Sequence, residues 1–434
     1  MKTKYLILGA GPAGLTFANA LLKKGETDFI VIEKESEPGG LCRSADVDGA
    51  PLDTGGGHFL DVRRPSVCKF LFDFLPEKEW VRYDRDSRIR LNLLPNADSA
   101  KKKEYELHHP FEANIWELPN ALQKRFLESI AAAGCNTGEP KPEKFTDWIR
   151  WKLGDEIANE YMLPYNRKMF GKNLNELGTY WLEKLPNVSY EETLESCKQK
   201  KALGSEPGHS QFYYPKKYGY GEVWKRMGDE LGDKLKLNET VTKLDCMNCE
   251  AYLSDGGVIA ADTIIVTVPW DTMELMWAPS MIKNNIKLLK TTSVEITYLE
   301  DAPDTDAQWI YYPDESLSYH RILVRGNFLK GAKGCWTETR SERYEEEVRQ
   351  LSMFDDMPEG DAKEGSDSNG SDARINFHNE YAYPVNTIAK PSAIAKVLDF
   401  ASKSHIIGLG RWGEHSHFNS DVTVDRALKL AEKL

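Results

Sequence analysis

The stretch Trp309-Ile-Tyr-Tyr-Pro-Asp-Glu-Ser-Leu-Ser-Tyr-His-Arg321 places tyrosines and an arginine on either side of a Pro-Asp pair. The aromatic residues Trp309, Tyr311 and Tyr312 read as a strand edge, and Pro313-Asp314 as a turn that returns the arginine alongside it. Such a hairpin is either an ordinary amphipathic edge or a wall that holds an anion. A guanidinium offers phosphate oxygens a bidentate fork, and a tyrosine hydroxyl adds an oriented donor. The same residue types recur as Tyr383 in Tyr-Ala-Tyr-Pro and as Arg411 in Gly-Arg-Trp-Gly, while His58 follows three glycines, Gly55-Gly56-Gly57. Whether His58, Arg321 and Arg411 do chemistry depends on what the rest of the chain builds. No metal site is expected. Cys246 and Cys249 are the only close cysteine pair, and one pair cannot complete a tetrahedral zinc site.

The elements that must position these residues begin at the N-terminus. Tyr5–Leu8 is a short buried-strand run, Gly9-Ala-Gly11-Pro12-Ala13-Gly14 follows, and Leu15–Lys24 carries apolar residues at helical spacing. Phe29–Ile32 makes a second strand, and Glu33 ends it. In this context the first glycine permits the tight turn, the second lets a pyrophosphate approach the backbone, and the third packs helix on strand. The pyrophosphate then lies at the positive helix N-terminus, and Glu33 is placed to accept from ribose hydroxyls.

Composition limits the partners. With 434 residues, two or three subdomains are expected. A net charge of −12 argues against a nucleic-acid backbone, which needs a basic surface, but leaves room for a small anion held by a few arginines. No apolar run reaches the roughly 18 residues of a membrane span. The chain enters a strand directly and Gly9 and Gly11 interrupt it, so no signal peptide is expected. Seven scattered cysteines read as reduced thiols of a cytoplasmic protein.

Beyond the second strand, Gly39-Gly40, Leu41 and Arg43 precede the Gly55–Gly57 cluster. Ile406–Gly410 is a strand ending in glycine, followed by Arg411 and a helix to Leu434. This pattern resembles flavoproteins of the glutathione-reductase-like and amine-oxidase-like superfamily, whose backbone at the Gly-Gly segment lines FAD. The resemblance implies an α/β, Rossmann-like FAD-binding domain built from residues 1–65, 206–275 and 397–434. An inserted helical domain (115–205) and an antiparallel sheet substrate domain (66–114 and 276–396, with a mobile acidic loop at 355–373) would complete it. The expected FAD contacts are Gly9, Gly11, Pro12, Ala13, Gly14, Glu33, Lys34, Gly40, Leu41, Arg43, Gly57, His58, Val241, Gly410, Arg411 and Ser420.

Within the insertion and in the segments flanking it the resemblance becomes specific. Gly154–Ala158, Pro164–Lys168, Trp181-Leu182, His109–Asn114 and Phe212–Gly221 are similar to segments of the UDP-galactopyranose mutase family, particularly its eukaryotic form. The resemblance implies that Tyr161, Asn166 and Phe170 hold uracil and that Tyr311, Arg321, Tyr383 and Arg411 hold the diphosphate of a UDP-sugar. Arg411 and His58 would also lie beside the flavin, whereas Arg321 would serve the ligand alone. It further implies an isomerase in which reduced flavin supplies the nucleophile toward the anomeric carbon with no net redox change. NADPH or NADH would prime the flavin from the same cleft.

The departures from the family pattern fall at Leu185 (beside Lys184), His109, His417 and the run Phe418-Asn419-Ser420-Asp421. They bear on the sugar and on retained activity. Two alternatives follow. One is an oxidoreductase of the amine-oxidase or protoporphyrinogen-oxidase type, and the other a nucleotide-sugar-binding flavoprotein without turnover. Oligomeric state is not set by the sequence.

Overall fold

A computed structural model describes residues 1–96, 99–182, 188–204, 208–347 and 375–434. Leu185, Lys184 and the acidic segment 355–373 lie outside the described residues. The first layer of the fold follows from the N-terminal pattern. Strands Lys2–Leu8 and Phe29–Ile32 pair in parallel, and the helix Pro12–Lys23 crosses between them. Their side chains alternate between two cores. Ile7 and Val31 join one cluster, with Leu15 and Phe17, while Leu6, Leu8, Ile30 and Ile32 join another, with Ile264 and Val397. Continuous apolar runs are what a strand covered on both faces requires.

These strands sit in an eight-stranded sheet. Val258–Val266 lies beside Lys2–Leu8 in parallel, and its end also pairs with Ile406–Gly408. Val241–Asp245 and Glu250–Leu253 form the antiparallel excursion expected from sequence. Helices Pro12–Lys23, Gly221–Leu231 and Ser420–Lys433 cover one face, and Ser280–Ile286 and Lys390–Ser402 the other. Ser280–Ile286, placed with the antiparallel sheet by sequence, packs on the parallel sheet because Ile282 belongs to its core, and Lys390–Ser402, which the expected boundary at 397 divides, packs there through Ala393 and Val397. Likewise Trp80–Asp84 pairs with Gln211–Pro215 in a separate three-stranded sheet with Leu60–Asp61.

The second large sheet has seven strands, ordered Asn376–Pro384, Thr291–Leu299, Cys335–Arg340, Arg321–Val324, Trp309–Tyr311, Ser87–Leu93, Lys103–His108. Trp309–Tyr311 and Arg321–Val324 form the expected hairpin, with Tyr311 opposite Arg321. The hairpin is not an edge, however. Trp309–Tyr311 lies inside the sheet, paired in parallel with Ser87–Leu93, because Trp309 and Ile310 are buried and need cover on both sides. Helices Asn120–Ala131, Phe145–Ile157 and Leu163–Phe170 form the helical part, whose core of Phe126, Phe145 and Ile149 continues into Ile89 and Leu91 of this sheet.

One buried cation joins helix to hairpin. Lys168, fully buried in the helix Leu163–Phe170, donates to the carbonyls of Tyr312 and Asp314 at 2.8 and 2.7 Å. Burial pushes its pKa down to about 7. Among the described residues no helix is long and apolar enough to cross a membrane.

Candidate active site

Two cavities meet between the sheets. The first, about 360 Å³, is lined by Gly9, Gly11, Pro12, Ala13, Glu33, Lys34, Gly40, Leu41 and Arg43, all expected from sequence, together with Thr267 and Val268. Gly11 and Gly40 approach each other so closely that a Cβ on Gly40 would lie 3.2 Å from the Gly11 Cα. Glu33 Oε2 accepts from the Ala10 amide at 2.7 Å, which fixes its carboxylate at the end of the strand. This cradle of bare backbone and one carboxylate fits a dinucleotide. Gly14 supports it from behind, since a Cβ there would lie 2.0 Å from the Gly9 carbonyl oxygen. Gly410 similarly backs onto Ala13, 2.6 Å from a would-be Cβ. Val241 stands outside the lining, on the antiparallel excursion.

The second cavity, about 650 Å³, takes in Gly57, Tyr161, Asn166, Phe170, Tyr311, Arg321 and Tyr383. His58, Arg411 and Ser420 line both cavities. The geometry thus places His58 and Arg411 at the junction, where a dinucleotide's reactive ring would pass from one space to the other. The His58 ring lies 6.3 Å from Tyr220 in a stacked arrangement, and its Nε2 is buried without a hydrogen-bond partner among the described residues. Burial, and then Arg411, pushes its pKa down to about 3, so the ring is neutral.

A third arginine shares the cavity and was missed from sequence. Arg85 donates through Nε to Ser87 Oγ (2.7 Å), through Nη1 to the Gly208 carbonyl (2.6 Å) and through Nη2 to the Tyr311 hydroxyl (3.2 Å). Trp309 Nε1 donates to the same hydroxyl at 2.9 Å, so the Tyr311 proton is left to point elsewhere. Arg411 is held by the carbonyls of Phe418 and Ala382 at 2.8–3.0 Å. Arg85 and Arg411 therefore have only neutral partners, and burial lowers the pKa of both.

Arg321 differs. Its Nε and Nη2 both donate to Glu338 Oε2, at 3.0 and 2.5 Å, and Glu338 Oε1 accepts from the Gly57 amide at 3.0 Å. Glu338 is wholly buried, and although burial opposes its charge, Arg321 holds its pKa at about 2. The expectation that Arg321 serves a ligand alone is corrected by this pair: the residue also neutralises a core carboxylate. The two histidines at departure positions face the cavity beside its tyrosines. His109 is 5.4 Å from the Tyr311 ring and held neutral by burial and Arg85, and His417 is 5.1 Å from Tyr383. Among the described residues no group of three or more metal-binding side chains forms.

A cradle for a dinucleotide opening into a cavity rich in arginine defines a flavoprotein-type scaffold, and comparison with known proteins agrees. Residues 12–302 match the family of flavin containing amine oxidoreductases, and the chain belongs to that family. The structure is similar over 99% of its length, and over 95% of the other chain, to a crystal structure of reduced UDP-galactopyranose mutase, with a TM-score of 0.81 and 21% identity. A structure described as a putative protoporphyrinogen oxidase from Exiguobacterium sp. 255-15 has a TM-score of 0.66 at 13% identity, covering 99% and 98% of the two chains. In sequence the chain is 26% identical over 132 residues to all-trans-retinol 13,14-reductase of Macaca fascicularis, which is 30% of this chain and 20% of that protein. The match therefore spans about a fifth of that curated relative's length.

Proposed function

We propose that this protein is an FAD-dependent nucleotide-sugar mutase of the UDP-galactopyranose mutase type, interconverting pyranose and furanose forms of a nucleoside-diphosphate sugar. One observation carries the reading: Arg85 and Arg411 stand half-buried in the cavity next to the flavin cradle, and neither has a carboxylate partner among the described residues. A buried charge without a counter-ion is costly, and a diphosphate supplies what is missing. An amine substrate, in contrast, would place a cation against them.

Bound in its reduced form, FAD would supply the electron-rich centre that displaces the nucleoside diphosphate from the anomeric carbon. The chain's own residues do the rest. Arg411 and Arg85 stabilise negative charge gathering on the departing diphosphate. Arg321, fixed in angle by Glu338, presents its remaining N–H groups, and the Tyr311 hydroxyl donates its free proton to a phosphate oxygen. His58, neutral at the junction, positions the reacting edge without adding positive charge. NADPH or NADH would prime the flavin.

The test is chromatographic. The yellow protein is reduced under nitrogen and given UDP-galactopyranose or a GDP-linked hexopyranose, and a furanose product is sought. Family membership favours a second reading, an amine or related oxidase. Hydrogen peroxide formation with an amine, and no change in any nucleotide sugar, would establish that instead. Nucleotide binding without ring interconversion would mark a binding protein.

A further inference from the structure

The far chamber of the arginine-rich cavity is walled by aromatic rings. Tyr161 stacks on Phe111 at 5.9 Å, and Phe170 meets Trp181 edge-on at 6.3 Å. Trp148 and Trp181 each leave a buried indole N–H without a partner among the described residues, and Asn166 and Glu112 add acceptors. Asn166 spends its amide on the Met162 carbonyl, with Nδ2 donating at 2.7 Å, which leaves Oδ1 as its unused end. Glu112 lines the same space, where burial raises the pKa of its carboxyl group while its own backbone amide and the charge of Lys152 oppose the rise. Tyr161 in turn feels the field of this carboxylate.

We propose that this chamber reads a guanine base, with the Glu112 carboxylate accepting from two adjacent N–H groups. The inference rests on the reading of the cavity as a nucleoside-diphosphate site. The pairing edge of uracil presents one N–H flanked by two carbonyl oxygens. A carboxylate facing it satisfies one oxygen and opposes a lone pair with the other. Guanine presents N1–H and N2–H side by side, which a carboxylate accepts bidentately. Cytosine and adenine each offer an amino N–H next to a ring acceptor, so they satisfy one oxygen only. Two such donors also favour the ionised carboxylate against its burial. A carboxylate at residue 112 thus suits an edge of paired donors rather than one of alternating acceptors and donor.

The experiment is equilibrium titration of GDP, UDP and pyrophosphate into the oxidised holoprotein and into Glu112→Gln, with matched flavin content showing that both are folded. The parent is expected to bind GDP roughly tenfold or more tighter than UDP, as a bidentate contact discriminates between bases. In Glu112→Gln the GDP preference is expected to vanish or invert, with pyrophosphate affinity unchanged. UDP binding as tightly as GDP in the parent overturns the base assignment alone, and this needs no variant. An unchanged GDP-to-UDP ratio in Glu112→Gln overturns the role of Glu112. Failure of all three ligands to bind the parent overturns the nucleoside-diphosphate reading itself.

Discussion

Arg321 stands directly opposite Glu338 in the antiparallel ladder, and this pairing alters what the arginine's removal does. Truncating one partner of a buried ion pair leaves the other charge stranded. Arg321→Ala is therefore expected to destabilise the protein by about 3–5 kcal/mol, beyond any loss of ligand binding. Adding Glu338→Gln to that variant is expected to recover a large part of the loss, and urea denaturation of the single and double variants measures it. Arg411→Ala strands no carboxylate but leaves the Phe418 and Ala382 carbonyls without their donor, so it is expected to lose ligand affinity with a smaller loss of stability than Arg321→Ala. His58 provides a pH signature. Its folded pKa of about 3 lies below the ordinary 6.5, so the unfolded chain binds the extra proton between these values. Its contribution is complete above about pH 6.5 and is lost as the pH falls toward 3. His58→Asn should show a shallower loss of stability over that window, and an identical slope would mean that the ring is charged in the folded state.

At the scale of elements, two glycines of one turn have separable duties. A Cβ on Gly11 meets nothing nearer than the Gly40 Cα at 3.9 Å, whereas one on Gly14 would strike the Gly9 carbonyl oxygen at 2.0 Å. Gly11→Val is expected to fold yet purify without flavin, because its side chain fills the space between the two glycine loops, while Gly14→Val is expected to misfold. Flavin absorbance alongside circular dichroism distinguishes the two. The helix Leu163–Phe170 is tied to the hairpin by buried Lys168 and, nearer the surface, by Arg167, which donates to both carboxylate oxygens of Glu315 at 3.0 and 2.7 Å. Lys168→Ala leaves two carbonyls without that donor, an expected cost of about 2–3 kcal/mol, and thermal unfolding checks it. The strand, glycine turn, helix and second strand were legible in the sequence because each is local and each residue type has one steric reason to be there. Arg85 and Glu338 were not. Arg85 reaches the cavity because Ser87 pairs with Trp309, and Glu338 because residue 338 pairs with residue 321. Neither register leaves a mark in the local pattern. The interior position of the hairpin was hidden for the same reason: Trp309 and Ile310 read equally well as an edge until Ser87–Leu93 is laid beside them.

For the whole molecule, the two sheets and the helical insertion put three arginines where a dinucleotide cradle opens, and the chemistry proposed there consumes no electrons. That property separates a mutase from every oxidase on the same scaffold. The flavin is reduced once, stoichiometrically and under nitrogen, and furanose nucleotide sugar is then counted per flavin while the visible spectrum is followed. The expected result is many product molecules per flavin with the spectrum still that of the reduced form at the end, and none from the oxidised protein. A nucleotide sugar left unchanged by the reduced protein, or product that stops at one per flavin as the yellow colour returns, would contradict the account.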